Sequence, residues 1–255
     1  VAADDVTVQG LTLAHTGVSQ VDERAAILVR DHARCRGLGN TIRETQFAVK
    51  LERARGCEVR GNTILGGGER QMAAGNGIHA WYSDSVRVFN NDVHGHRDGI
   101  YFEFVTGGEV ANNVVSGSAR YGLHFMFSND CAYEGNTFRS NGNGVAVMYS
   151  KNVAMRHNQF VRNWGGAAYG LLLKDVNDSD ISDNTFEGNS SGLYLEDASR
   201  NTVRGNTFRD NGWAVRLLAS AQDNTFTDNT FRGNSFDVAT NSRSSTSTFR
   251  RHHWD

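Results

Sequence analysis

The chain has 255 residues and a formal net charge of −2, its 26 basic and 28 acidic residues being spread along the whole length, which argues against a nucleic-acid surface held by excess Lys and Arg. No run of eighteen apolar residues offers a membrane span, and Val1 to Asp5 lacks the basic start and apolar stretch of a signal peptide, which leaves export open. Gly is abundant at 28 residues and Pro is absent, where about 5% usage is ordinary; that mixture suits a tightly turned β architecture with many positive-φ corners.

In chain order, one short motif recurs: Gly39-Asn40-Thr41-Ile42, Gly61-Asn62-Thr63-Ile64, Gly135-Asn136-Thr137-Phe138, Asp183-Asn184-Thr185-Phe186, Gly205-Asn206-Thr207-Phe208 and Asp228-Asn229-Thr230-Phe231. With Asn91, Asn113 and Asn158 the series steps by 22, 29, 22, 23, 22, 26, 22 and 23 residues, and Leu11 and Ser247 extend it at either end. A second series, Gly77, Gly99, Gly122, Gly144, Gly170 and Gly192, keeps phase with the first. Each unit is too short for a helical hairpin, and its apolar residues alternate with a period of two, so the units are coils of short strands. Two residues after each Asn stands an apolar side chain, from Leu13 and Ile42 through Phe138, Phe160, Phe186 and Phe208 to Phe231 and Phe249; three before stand Val59, Val88, Val110, Met155, Ile181, Val203 and Phe226. These columns point inward.

The fold class is therefore all-β, a right-handed single-stranded parallel β-helix: a solenoid of about eleven coils of about 22 residues, roughly 50 Å long at 4.7–4.9 Å per coil, forming one domain over 1–255. The Asn column reads as a structural ladder, each amide bonding to backbone and to the next Asn, as does a second column at Asn141, Asn163, Asn189, Asn211 and Asn234. Cys35, Cys57 and Cys131 all fall five residues before a ladder Asn, at inward parity. Parallel side-chain vectors on neighbouring coils make a Cys35–Cys57 disulfide geometrically poor, so free, buried thiols are expected.

The middle coils are more specific. Gly75-Asn76-Gly77-Ile78-His79, Trp81-Tyr82-Ser83-Asp84, Gly95-His96-Arg97-Asp98-Gly99-Ile100-Tyr101-Phe102-Glu103-Phe104-Val105 and Arg120-Tyr121-Gly122-Leu123-His124-Phe125-Met126-Phe127-Ser128-Asn129-Asp130 resemble the NosD family, as do Gly144 to Ser150, Ala168 to Asp175 and Phe236 to Asn241. The resemblance is strong from about residue 75 to 241 and weaker before it. It implies a periplasmic, non-enzymatic accessory protein that works with an ABC-type permease and ATPase pair and a copper-carrying lipoprotein to mature the copper-sulfide centre of apo nitrous oxide reductase. The chain is expected to be shorter than family members at both ends, without caps over its terminal coils.

By parity, residues one and three after each Gly belong inside, and residues two and four face out: His79 and Trp81, Tyr101 and Glu103, His124 and Met126, Ala146 and Met148, Leu172 and Lys174, Tyr194 and Glu196. An exposed strip of aromatic, His and Met side chains stands where a solvated strand would carry Lys, Thr or Ser. His124, Met126 and Met148 are candidate ligands for a transiently held copper ion, with His79 as a relay, since thioether and imidazole suit Cu(I). Trp81, Tyr101 and Glu103 are candidate docking residues. Met155 reads as core, Met72 as either core or ligand, His94 and His96 as turn residues, and His252 and His253 as solvated. Two other readings stay open: a carbohydrate-active lyase, hydrolase or epimerase, for which Glu103, Lys174, Asp175 and Glu196 supply charges without an evident acid-base pair, and a docking scaffold that never touches metal.

Overall fold

The computed structural model describes residues 1–19, 21–67, 75–218, 220–243 and 245–255; Met72 lies outside them. Every regular element among the described residues is a strand, and every pairing is parallel. Three sheets run along the rod. The first has eleven strands, from Thr7–Gln9 to Thr248–Arg250; the second has eleven, from Thr12–Gly17 to His253–Trp254; the third has ten, from Ala25–Arg30 to Phe236–Thr240. Each coil but the last gives one strand to each sheet, and in almost every pair the register is the repeat itself, Ile42 on Ile64, Phe138 on Phe160.

The inward columns form the core. Phe138, Phe160, Phe186, Phe208 and Phe231 stack at centroid separations of 5.7, 4.6, 4.7 and 5.2 Å. All are fully buried or nearly so, so each adds the area of a buried ring plus offset stacking to the joint between coils. The predicted Asn ladder is complete: from Asn40 to Asn206, each backbone N–H and side-chain amide donates to Oδ1 of the next Asn at 2.9–3.1 Å. These bonds satisfy corner donors that the sheets cannot reach. The glycine column has a steric reason. A Cβ on Gly99 would meet the Gly122 carbonyl oxygen at 2.7 Å and a Val115 methyl at 2.2 Å.

Two assignments at the C-terminal end are corrected. Ser247 is not the last rung of the main ladder; it accepts from Asn224 N–H in the column that holds the cysteines, while Asn229 N–H donates to Nδ1 of His252 at 3.2 Å. Phe249 accordingly pairs with Phe226 in the first sheet, and Trp254 takes the place beyond Phe231. Both columns carry Asn in the last coils, Asn201 and Asn224 in one and Asn206 and Asn229 in the other, so a five-residue slip keeps the residue type unchanged. His252 is thus a ladder cap and not a solvated residue.

The three cysteines are free and buried. Cys57 Sγ accepts the Cys35 N–H and Cys131 Sγ accepts the Gly108 N–H, both at 3.3 Å, so the thiols are rungs of their own ladder. Burial pushes them up to about 11 for Cys57 and about 12 for Cys131, out of the range where a thiolate would react.

Candidate functional site

The outer face of the third sheet carries two adjacent columns. Register pairing places Lys50, His79, Tyr101, His124, Ala146, Leu172, Tyr194 and Arg216 in one, and Glu52, Trp81, Glu103, Met126, Met148, Lys174 and Glu196 in the other. They lie outside the core cluster, as parity required.

Their exposure differs from the expectation. His79, Tyr101 and His124 are buried, at 7, 7 and 4% exposure, although they point away from the core. The solenoid itself buries them: Phe47, His79, Tyr101 and His124 stack ring on ring at 5.9, 4.8 and 4.6 Å, and Tyr121 leans on His124 at 4.9 Å. Coils one strand spacing apart bring flat side chains into face contact, and parity carries no information about that. Trp81, Glu103, Met126 and Met148 are half-buried and form the accessible column.

The stack also separates the two imidazoles, because Tyr101 is interleaved between them; His79 and His124 do not share one ion. His124 sits over a buried carboxylate. Asp98 accepts from Arg120 Nε at 3.0 Å and Nη2 at 2.7 Å, and Arg120 Nη2 also lies 3.1 Å from His124 Nδ1. Burial alone would raise the Asp98 carboxyl, but the His124 ring 3.8 Å away and the paired Arg120 guanidinium hold it below the usual range. Burial lowers His124, leaving a neutral ring. With Nδ1 accepting from Arg120, its proton belongs on Nε2, and that atom has no partner. An ion taken there must displace that proton.

His79 is the less committed imidazole. Both of its ring nitrogens are buried without a hydrogen-bond partner, and Glu103 Oε2 stands 3.9 Å from Nε2. Burial lowers the His79 pKa, and the His79 contact in turn lowers Glu103. The Tyr101 hydroxyl donates to Met126 Sδ at 3.6 Å. Met126 and Met148 are direct register partners on adjacent coils, which sets their backbones about 4.8 Å apart. Soft thioethers beside unpartnered imidazole nitrogens fit Cu(I) chemically. Among the described residues no three His, Cys, Asp or Glu side chains group into a conventional cage.

One feature is invisible to strand alternation because it lies on corners, three of its residues just past a strand end and the fourth, Tyr149, inside the strand Asn143–Lys151. Directly after the accessible column the chain turns, and Tyr82, Phe104, Phe127 and Tyr149 occupy that corner at φ of 47°, 54°, 51° and 53°. They stack in file at 4.4, 5.0 and 5.0 Å, and Trp81 meets Tyr82 edge-on at 4.7 Å. Tyr82, Phe127 and Tyr149 are 52, 39 and 38% exposed. The steps of 22, 23 and 22 residues between these aromatics are the signal that could have found them. Further toward the N-terminus the same two columns carry a buried ion network in which Lys50 pairs with Glu52 at 2.7 Å and with Glu23, and Glu52 with Arg30.

Of the residues singled out elsewhere, Met155 is core. His94 is not a turn residue: it ends the strand Asp92–His94 of the second sheet and meets Ser116 Oγ of its register partner at 3.1 Å. His96 is buried beside it, its pKa pushed down to about 4 by desolvation. Lys174 and Glu196 pair with each other at 3.0 Å.

Comparison with known proteins agrees with this picture at two levels. The model of the family described as periplasmic copper-binding protein (NosD) matches residues 66–253, and that of the right-handed β-helix region matches residues 2–116. The probable ABC transporter binding protein NosD of Stutzerimonas stutzeri is 35% identical over 101 residues, 39% of this chain and 23% of that protein, so the match spans under a quarter of the relative's length. Among solved structures, the A-module of the Azotobacter vinelandii mannuronan C-5 epimerase AlgE4 superposes with a TM-score of 0.71 at 15% identity, covering 97% of this chain and 86% of the module. Tailspike protein 2 of a bacteriophage of Escherichia coli O157:H7 gives 0.72 at 11% identity, covering 96% of this chain and 38% of its own. At such identities these two show the shared fold alone. The family match extends over well more than half of the sequence and includes all the middle coils, and the chain belongs to the NosD family of periplasmic copper-binding proteins.

Proposed function

We propose that this chain is a periplasmic, non-enzymatic accessory protein for assembly of the copper-sulfide centre of nitrous oxide reductase. In this reading it receives or passes copper while docked to an ABC-type permease and ATPase pair, a copper-carrying lipoprotein and the apo reductase. Family membership and the name of the Stutzerimonas stutzeri relative support the class of role. The observation that carries the surface assignment is the aromatic file Tyr82, Phe104, Phe127 and Tyr149, with Phe104 half-buried and the other three exposed, at a strained corner directly beside Trp81, Glu103, Met126 and Met148. Apolar area of this kind on a protein surface marks interaction sites, and aromatic anchors dominate interface energies.

Copper is cargo in this scheme. Met126 and Met148 hold it as Cu(I), His124 contributes if its Nε2 proton leaves, and His79 with Glu103 offers a second resting point two coils away. An open pair of thioethers binds loosely enough to release its ion. No helix of the described residues is long and apolar enough to cross a membrane.

The test is Cu(I) titration of the purified chain beside a Met126→Ala, Met148→Ala double variant and Trp81→Ala, each checked for unchanged folding. The double variant is expected to lose Cu(I) affinity by at least tenfold, and Trp81→Ala to lose capture of the copper lipoprotein and the permease complex. Wild-type affinity in the first removes the ion site, and normal capture in the second removes the docking face. Turnover of a uronate polymer that disappears in Glu103→Gln would replace the whole reading by the carbohydrate-active one.

A further inference from the structure

A second site lies on the same sheet, toward the C-terminal coils and at its opposite edge. The coil between Asn158 and Asn184 is 26 residues long, and its extra residues form a loop over Trp164 to Ala168 that leans on the following coils. Gly165 is pinned by Ser190, whose hydroxyl accepts its N–H and donates to its carbonyl oxygen, both at 2.9 Å. Trp164 reaches as far as Gly212, where a Cβ would stand 3.8 Å from the indole. The loop thereby walls an open cleft of about 290 Å³, lined among others by Trp164, Tyr169, Ser191, Trp213 and Arg216.

Three properties define what this cleft can hold. It is small, at the low end of ligand pockets, which suits one ring rather than an extended polymer segment. It is cationic: Arg216 lies 4.9 Å from the Tyr194 ring and 5.6 Å from that of Trp213, no acidic side chain lines the cleft, and among the described residues the guanidinium has no ion pair. A guanidinium held over aromatic faces keeps its fork of donors for a carboxylate or phosphate. It is also one-sided. Trp213 is stacked on Phe236 at 4.1 Å, whereas Trp164 is 65% exposed and no ring stacks on it among the described residues. One free indole face beside hydroxyls and backbone groups favours a ring with an apolar C–H face and a polar rim over a nucleobase, which is better held between two faces.

We propose that this cleft binds an acidic sugar residue, a hexuronate or a similar pyranose bearing one carboxylate, with the ring on Trp164 and the carboxylate on Arg216. The site is independent of the copper face and uses none of its residues. It turns a longer coil, otherwise an irregularity of the repeat, into the wall of a ligand site.

The experiment is a tryptophan-fluorescence and calorimetric titration of the full chain with trigalacturonate, the matching neutral trisaccharide, a nucleoside monophosphate and inorganic phosphate. Saturable binding of the uronate, at least tenfold tighter than the neutral sugar, is expected from the native protein alone. Arg216→Gln abolishes that preference, Trp164→Ala weakens both sugars at least tenfold, and Trp81→Ala leaves them unchanged. Absence of saturation with trigalacturonate, tighter binding of the nucleotide or phosphate, or titrations unaffected in both cleft variants overturns the proposal. Loss of binding in Trp81→Ala also overturns it, since the sugar would then sit on the docking face. Cu(I) affinity measured in the same Arg216→Gln sample keeps failure here distinct from failure of the copper reading.

Discussion

Two corners of the solenoid make the same demand on the backbone and meet it by opposite means. Between the first and second sheets one residue per coil lies at positive φ, and most of these are Gly39, Gly61, Asn90, Asn112, Gly135, Asp183, Gly205 and Asp228, the residue types that adopt the left-handed region at least cost. After the third sheet the same demand recurs at Asp31, Arg53, Asp175 and Asp197 in the outer coils, but at Tyr82, Phe104, Phe127 and Tyr149 in four consecutive middle ones. A bulky side chain there costs roughly 1–3 kcal/mol each. Where local preference decides, the corner is structural; where it is overridden coil after coil, and most of the overriding side chains are exposed, the surface they form is the proposed reason for them.

The largest expected effect lies at the structural corner. The Asn136 side chain makes five hydrogen bonds: its amide donates to the carbonyls of Val110 and Glu134 and to Asn158 Oδ1, and its Oδ1 accepts from Asn113 N–H and Nδ2. Asn136→Ala deprives the buried Asn113 N–H and the Val110 carbonyl of their Asn136 partners on the neighbouring coil, and a loss of roughly 4 kcal/mol is expected from 1–3 kcal/mol per orphaned group. Denaturant unfolding measures it. A loss below about 1 kcal/mol would mean that the ladder follows the stack and does not hold it.

A smaller effect separates a ladder rung made of amide from one made of imidazole. His96 stands where the next coils have Ser118, Asn141 and Asn163, and burial holds its pKa at about 4 against an ordinary 6.5. A histidine depressed in the folded state binds its proton more readily when unfolded. Its contribution is therefore fully present above pH 6.5 and is lost as pH falls toward 4, by about 3 kcal/mol at 1.36 kcal/mol per unit. The slope of stability against pH between 6.5 and 4 is expected to flatten in His96→Asn, and an unchanged slope would assign the acid sensitivity to other groups.

How much of this was legible follows from the same contrast. The period placed the Phe138 to Phe208 stack and the Asn rungs because a solenoid repeats one environment at one spacing. It misplaced Ser247 and Phe249 where two columns five residues apart carry the same residue type. Parity gave His79, Tyr101 and His124 their outward direction but not their burial, which depends on flat rings meeting across coils. The Tyr82 to Tyr149 file was invisible to alternation because it lies on corners, and the Trp164 wall showed only as a coil of unusual length.

The smallest expected change in stability tests the comparison most directly. Phe127 is held at φ 51° between Phe104 and Tyr149, both at 5.0 Å. Replacing it with Asn relieves about 1 kcal/mol or more of left-handed strain and forfeits two ring contacts worth about 0.5–1.5 kcal/mol each. The terms oppose, so Phe127→Asn is expected to unfold within about 1 kcal/mol of the native chain. Capture of the copper lipoprotein and permease complex by the same variant is expected to fall by at least tenfold. If Phe127→Asn instead destabilises by more than about 3 kcal/mol, the cost falls in the range of core ring deletions. The aromatic corner is then part of the scaffold like the Asn corner opposite. Unchanged stability with unchanged capture would place the partner on another face.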